Sequence, residues 1–182
     1  QFRRKGFDAA TKLYQQAQQR SAQSGEKQRQ AQSQLRLAQV DREQQRLTPA
    51  SAAVDEALVI ARDIGARPLE AEALLARGEL QRRRGQLAEA LQSFEAAEAA
   101  LESTRDPDLL WRIDYGRART LETRGETRAA IDSLLSAVRV IASVRNRLQE
   151  PRFRAGFVDD KYEVYIDLVR LQLQLGRAED AF

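Results

Sequence analysis

Apolar positions in this chain recur three and four residues apart, and no β-branched alternating run interrupts them, so each periodic segment reads as an amphipathic helix. The first segment, about 7–23, places Ala10, Tyr14 and Ala17 on one face, and Ser24-Gly25 ends it. A second, about 26–46, has a thin stripe of Ala31, Leu35 and Ala38 among Gln, Arg and Glu. Thr48-Pro49 predicts a restart, with threonine as cap and proline at the first helical position, where its missing N–H costs nothing. The third helix, about 49–64, turns Ala50, Val54, Ala57, Leu58 and Ala61 inward, and Gly65 closes it in the left-handed region. Pro68 opens a fourth helix reaching about 84, and Gly85 turns into a fifth at about 87–103. Asp106-Pro107 repeats the capping logic for a sixth helix, about 107–124. Gly125 leads into a seventh, about 127–148, with Ile131, Leu134, Val138 and Ile141 in its stripe. After Glu150-Pro151, an eighth helix at about 159–175 carries Tyr162, Tyr165, Ile166 and Val169.

Small residues recur within this frame. Gly85 is followed by Ala90, Phe94 and Ala97; Gly125 by Ala130, Leu134 and Ala137; Gly176 by Ala181. Glycine in the turn, with methyl-sized side chains facing the preceding helix, describes a helical hairpin whose axes cross closely. Such a hairpin cannot bury its stripe alone and must stack on its neighbours, which predicts an all-α solenoid of about eight helices. The expected organisation is a single repeat domain over 1–182. It comprises basic, glutamine-rich helices at 1–47 and units at 48–104, 105–150 and 151–182.

Composition narrows the chemistry. The 182 residues include no Cys, His or Met, which removes thiol nucleophiles, imidazole bases, disulfides and the usual zinc or haem ligands. The expectation is a non-catalytic chain without cofactor or metal. No apolar run approaches the roughly 18 residues of a membrane span, and a cytoplasmic setting is expected. The chain begins without Met inside a helical pattern and reads as a piece of a longer protein. Residues 1–47 hold ten Lys/Arg against four Asp/Glu, or +6, whereas 48–182 hold twenty against twenty-three, or −3. That basic arm admits a reading as a nucleic-acid or polyanion surface. Without aromatic platforms, however, it reads more simply as the solvated face of long helices.

Residues 71–104 resemble the tetratricopeptide repeat (TPR): Gly78 fills the small slot of the first helix, Gly85 the turn, and Ala90, Phe94 and Ala97 the slots of the second. The next unit sets Ala118, Gly125, Ala130, Leu134 and Ala137 in the same places. Ala38, Ala50, Val54 and Ala57 fit more loosely, and Ala10, Tyr14 and Ala17 look like the second helix of an earlier unit. The Trp, Leu and Tyr of the regular repeat are missing from the first helix, and the turn glycines lie 40 and 51 residues apart. The resemblance implies a right-handed solenoid whose repeats are lengthened and irregular. The stretch from Phe153 through Tyr162, Tyr165 and Leu175-Gly176 to Phe182 resembles the segment preceding the caspase-like CHAT peptidase domain of bacterial TPR proteins. The resemblance implies a regulatory region, with any catalytic domain downstream.

TPR arrays bind peptides or partner helices on the concave face lined by the first helix of each pair. The resemblance places Glu72, Leu75, Glu79, Arg82 and Arg83 on that wall, then Arg112, Tyr115, Arg119 and Glu122, then Ile166, Arg170 and Gln174. The partner-binding residues expected from this are Glu79, Arg82, Arg83, Arg112, Tyr115, Arg119 and Arg170. Guanidinium groups grip carboxylates bidentately, so the ligand expected is a protein or peptide with acidic character. Arginine is also simply the default cation of a chain with four lysines. Trp111 is either an exposed anchor or a packing residue, and Asp159-Asp160 is more simply a helix-start feature than a metal site.

Overall fold

The computed structural model of the chain describes residues 2–23, 25–147 and 161–176. Asp159-Asp160, Phe153 and residues 177–182, including Ala181, lie outside the described residues. The described residues form helices and no strand: α1 (Phe2–Gln23), α2 (Lys27–Glu43), α3 (Leu47–Asp63), α4 (Arg67–Arg83), α5 (Leu87–Ala100), α6 (Pro107–Thr123), α7 (Thr127–Arg147) and α8 (Tyr162–Gln174). The all-α expectation holds. Two compact units divide the chain, 1–104 and 105–182. In the first, α1 to α5 pack in sequential pairs, with α2 also touching α4; in the second, α7 packs on both α6 and α8.

The backbone shows a regularity that the glycines alone conceal. Left-handed φ angles fall at Gly25, Gln45, Gly65, Gly85, Arg105 and Gly125, every twentieth position. At Gly65 the helix end is a Schellman turn: Gly65 N–H donates to the Arg62 carbonyl (3.1 Å) and Ala66 N–H to the Ala61 carbonyl (2.9 Å). The same two bonds recur at Gln45 and Arg46, at Gly85 and Gln86, and at Gly125 and Glu126. The turn that ends one helix therefore starts the next two residues later. This corrects the expected restart at Thr48-Pro49: α3 begins at Leu47 behind Arg46, which makes no side-chain cap, and Thr48 lies inside its first turn. Asp106 does cap α6, accepting from Asp108 N–H at 2.9 Å.

One helix per twenty residues makes a forty-residue hairpin. We call α2, α4, α6 and α8 helix A, and α1, α3, α5 and α7 helix B. Helix B holds Ala50, Ala90 and Ala130 in one slot, Val54, Phe94 and Leu134 in the next, then Ala57, Ala97 and Ala137. All nine are at most 1% exposed. The small slot of helix A is Ala38, Gly78 and Ala118, each buried. A β-carbon added at Gly78 would lie 2.7 Å from the Phe94 ring, so the fully buried ring fills the space a side chain at 78 would take. The repeats are lengthened as expected, and their irregular step is the passage from α7 to α8.

Candidate partner-binding wall

Within the second unit, side chains of α6 meet side chains of α8. The Tyr115 hydroxyl donates to Asp167 Oδ2 at 2.9 Å. Arg170 donates from Nη1 and Nη2 to the two oxygens of Glu122, at 2.7 and 3.2 Å, and also from Nη2 to Asp167 Oδ1 at 2.8 Å. The Arg119 guanidinium lies 5.6 Å from the centre of the Tyr115 ring and is exposed. Three carboxylate-directed bonds thus fix one helix A against the next, and the Arg170–Asp167 bond within α8 holds the arginine in place. Burial, with the bond to Asp167, pushes the Tyr115 phenol up to about 12, so it stays a neutral donor at physiological pH. The bonds to Glu122 and Asp167 raise the already high Arg170 value, and the guanidinium is held charged.

Arg112 and Trp111 stand one turn earlier on α6. Arg112 pairs with Asp108 at 3.7 Å, one helical turn away, and keeps half-buried contact with the surface. Trp111 is half-buried; its Nε1 donates to Asp108 (3.1 Å), and the Lys161 ammonium sits 5.5 Å from its ring centre. Trp111 is thus a packing residue with a wet edge rather than a free anchor.

In the first unit Glu79 of α4 pairs with Arg42 of α2. Arg82 is half-buried and Arg83 exposed, on the last turn of α4. Leu75, expected on the wall, is 1% exposed and belongs to the core. Of the expected residues, then, Tyr115, Arg119 and Arg170 come together in one unit with Arg112 one turn from Tyr115, while Glu79, Arg82 and Arg83 share α4 in the other.

Sequence reasoning missed Asp167 and the role of Arg42. The signal was present in the forty-residue register. Arg42 and Glu122 are equivalent helix-A positions, and Glu79 is equivalent to Arg119 and, counted from Gly176, to Arg170. Arg42–Glu79 and Glu122–Arg170 are therefore the same bridge with its charges exchanged.

Several cations of the basic segment meet carboxylates within the first unit. Lys27 meets Asp63 at 2.5 Å, Arg29 meets Glu26 at 2.6 Å, and Arg46 pairs with Asp41. On α8, Tyr162, Tyr165, Ile166, Val169 and Leu173 line an open groove of about 680 Å³. Among the described residues there is no cluster of carboxylates arranged to hold a metal, and no helix is long and apolar enough to cross a membrane.

No protein-family profile matches the chain, and no curated protein matches it in sequence. Solved structures do match. One is a Podosopora anserina protein described as a kinesin light chain with nearly identical TPR-like repeats. It is 16% identical over 98% of this chain and 83% of its own, with a TM-score of 0.65. Another is BtubC (BKLC) from P. vanneervenii, 14% identical over 96% of this chain and 86% of its own, with a TM-score of 0.64. At these identities the likeness is one of backbone: the chain has a TPR-like helical-repeat fold.

Proposed function

We propose that the chain is a protein-interaction scaffold that takes a peptide or partner domain along its helix-A wall, as a regulatory region of a larger bacterial protein. The observation that carries this reading is the cross-linking of α6 to α8 by Tyr115–Asp167 and Arg170–Glu122. Two helices A tied side by side make a rigid surface, and a ligand that docks on a rigid surface orders less of its host. Arg112 and Arg119 lie on α6 beside that bridge, and Arg119 is exposed above an aromatic ring. The Arg112 and Arg119 guanidinium groups on α6 select an acidic partner.

The basic segment supports the alternative polyanion reading less well, because Lys27, Arg29, Arg42 and Arg46 already face carboxylates. With no His or Cys in the sequence, the chain acts by binding rather than by catalysis. The resemblance of residues 153–182 to the segment before a CHAT peptidase adds a host for the scaffold. A downstream domain without His and Cys would remove that host.

Selection from a short-peptide display library tests the scaffold. Enriched peptides are expected to carry Asp or Glu, to bind more weakly as salt rises, and to lose at least about tenfold in affinity to Arg112→Glu/Arg119→Glu. Enrichment of neutral peptides indifferent to that substitution would sink the acidic wall.

A further inference from the structure

The charges of α3, α5 and α7 can be compared position by position, because these helices B share one register. In α3 every charge has a partner. Asp55 meets Arg77 at 2.6 Å, Asp63 meets Lys27 at 2.5 Å, Arg62 meets Glu70 at 2.8 Å, and Glu56 accepts from Gln34. α5 carries three glutamates and no Lys or Arg, a formal −3. α7 carries four arginines against the single Asp132, a formal +3. Glu95 of α5, Glu102 just beyond its end, and Arg128 and Arg139 of α7 are all exposed. None of these four side chains makes a hydrogen bond or salt bridge among the described residues.

The two solvent faces also differ in relief. Seven residues make close to two helical turns, so Ala88, Glu95 and Glu102 fall on one line, with the exposed Ala99 beside it. Methyl groups thus leave α5 a low surface next to its carboxylates. On α7 the equivalent line is Arg128, Asp132, Leu135 and Arg139, and Leu135 stands 38% exposed between the two arginines. A projecting leucine flanked by guanidinium groups fits a low alanine face flanked by carboxylates.

We propose that the acidic face of α5 in one copy docks on the basic face of α7 in another. The occupant follows from charge, since one chain carries two helices of equal and opposite formal charge in one register, and both expose charges that nothing described neutralises. Opposite faces attract, whereas α5 against α5 or α7 against α7 would set like charges together, so the pairing is selective. Exposed ion pairs are individually weak and screened by salt, and the association is accordingly weak and salt-dependent. Neither helix contributes to the helix-A wall.

Sedimentation velocity on the whole chain over a concentration series tests this with two charge-reversed variants, Glu95→Arg/Glu102→Arg on α5 and Arg128→Glu/Arg139→Glu on α7. All four positions are exposed, so circular dichroism should report unchanged helicity. Wild type is expected to associate at low ionic strength and to come apart in about 1 M salt, where the screening length is only about 3 Å. Each variant alone opposes like charges and should raise the dissociation constant at least about tenfold. Mixed together, the variants oppose unlike charges at both faces and should associate again. A wild type that stays monomeric at low salt overturns the proposal. So does association indifferent to either variant, or a mixture that stays apart. Arg112→Glu/Arg119→Glu should leave the association unchanged while it weakens peptide binding, which separates this proposal from the scaffold reading. Association lost in that variant would put the α5 glutamates on α6 and overturn α7 as their mate.

Discussion

The α4–α5 hairpin of the first unit and the α6–α7 hairpin of the second occupy one register with different residues. At the close crossing the first uses a missing side chain under a large ring, Gly78 and Phe94. The second sets the middle-sized pair Ala118 and Leu134 at the same positions. The bridges from one helix A to the next differ in the same way: Arg42 reaches Glu79 in the first unit, while Glu122 receives Arg170 in the second. The difference teaches what the repeat requires. In these two hairpins the combined volume at the crossing and the combined charge at the bridge stay nearly the same, and each unit divides them differently between partners. That division binds residues into pairs, so a substitution is tolerated or not according to its mate.

A double-mutant cycle at the crossing should break the comparison most strongly. Gly78→Ala puts a β-carbon 2.7 Å from a ring with no exposed surface into which to retreat. Overpacking of this kind costs about 1–3 kcal/mol, set against about 1 kcal/mol of improved helix propensity. The expected outcome in chemical denaturation is a net loss of about 1–2 kcal/mol. In a Phe94→Leu background, which copies the second unit, the same change should become stabilising by up to about 1 kcal/mol. Equal effects in both backgrounds would mean that the two hairpins do not share a volume rule.

The bridge is the next test. Arg170→Met removes the donors to Glu122 and Asp167; because the pair is about one-third exposed, the expected loss is only about 1 kcal/mol, smaller in high salt. The neighbouring Tyr115 adds a pH signature. Its phenol ionises near 10 in the unfolded chain and at about 12 in the fold, so its contribution is complete below pH 10 and fades as pH rises towards 12. Phenolate absorbance should show one late-titrating tyrosine, absent in Tyr115→Phe, whose unfolding midpoint should also vary less over that interval. Absence of that late component would remove Tyr115–Asp167 from the account of the wall.

How much of this was legible follows from what repeats. The glycine turns, the alanines at 90, 97, 130 and 137 and the bulky residues between them carry the hairpin directly, because only methyl-sized groups permit so close a crossing. The Asp106 cap was equally visible, since its side chain acts on its own helix. Two turns were hidden. Gln45 and Arg105 adopt φ of 63° and 44°, a conformation that glycine announces and these residues do not, so the sequence alone hides the twenty-residue period and places the start of α3 too late. Leu75 was misplaced for a related reason, as a helix-A position one turn from the wall cannot be assigned a face without the pitch. The wall itself was half legible. Arginines can be counted in a sequence, but their engagement by Asp167 and Glu122 depends on which helices meet.

The smallest effect concerns those hidden turns and sharpens the comparison at single residues. A left-handed conformation costs an L-residue about 1–2 kcal/mol, while glycine there surrenders about 0.5–1 kcal/mol of extra backbone entropy. Gln45→Gly should therefore stabilise the first unit by a few tenths to about 1 kcal/mol. Arg105→Gly should act in the same direction, since its φ of 44° is also positive and strained for a residue with a β-carbon. Gly85→Ala provides the converse. A β-carbon there meets nothing within 4 Å, so any loss is a cost of φ and not of space. Thermal melts of the three variants should rank Gln45→Gly above wild type and Gly85→Ala below it. If Gln45→Gly instead lowered the midpoint, the turn would be held by the glutamine side chain, and the twenty-residue period would owe less to backbone conformation than the Schellman bonds imply.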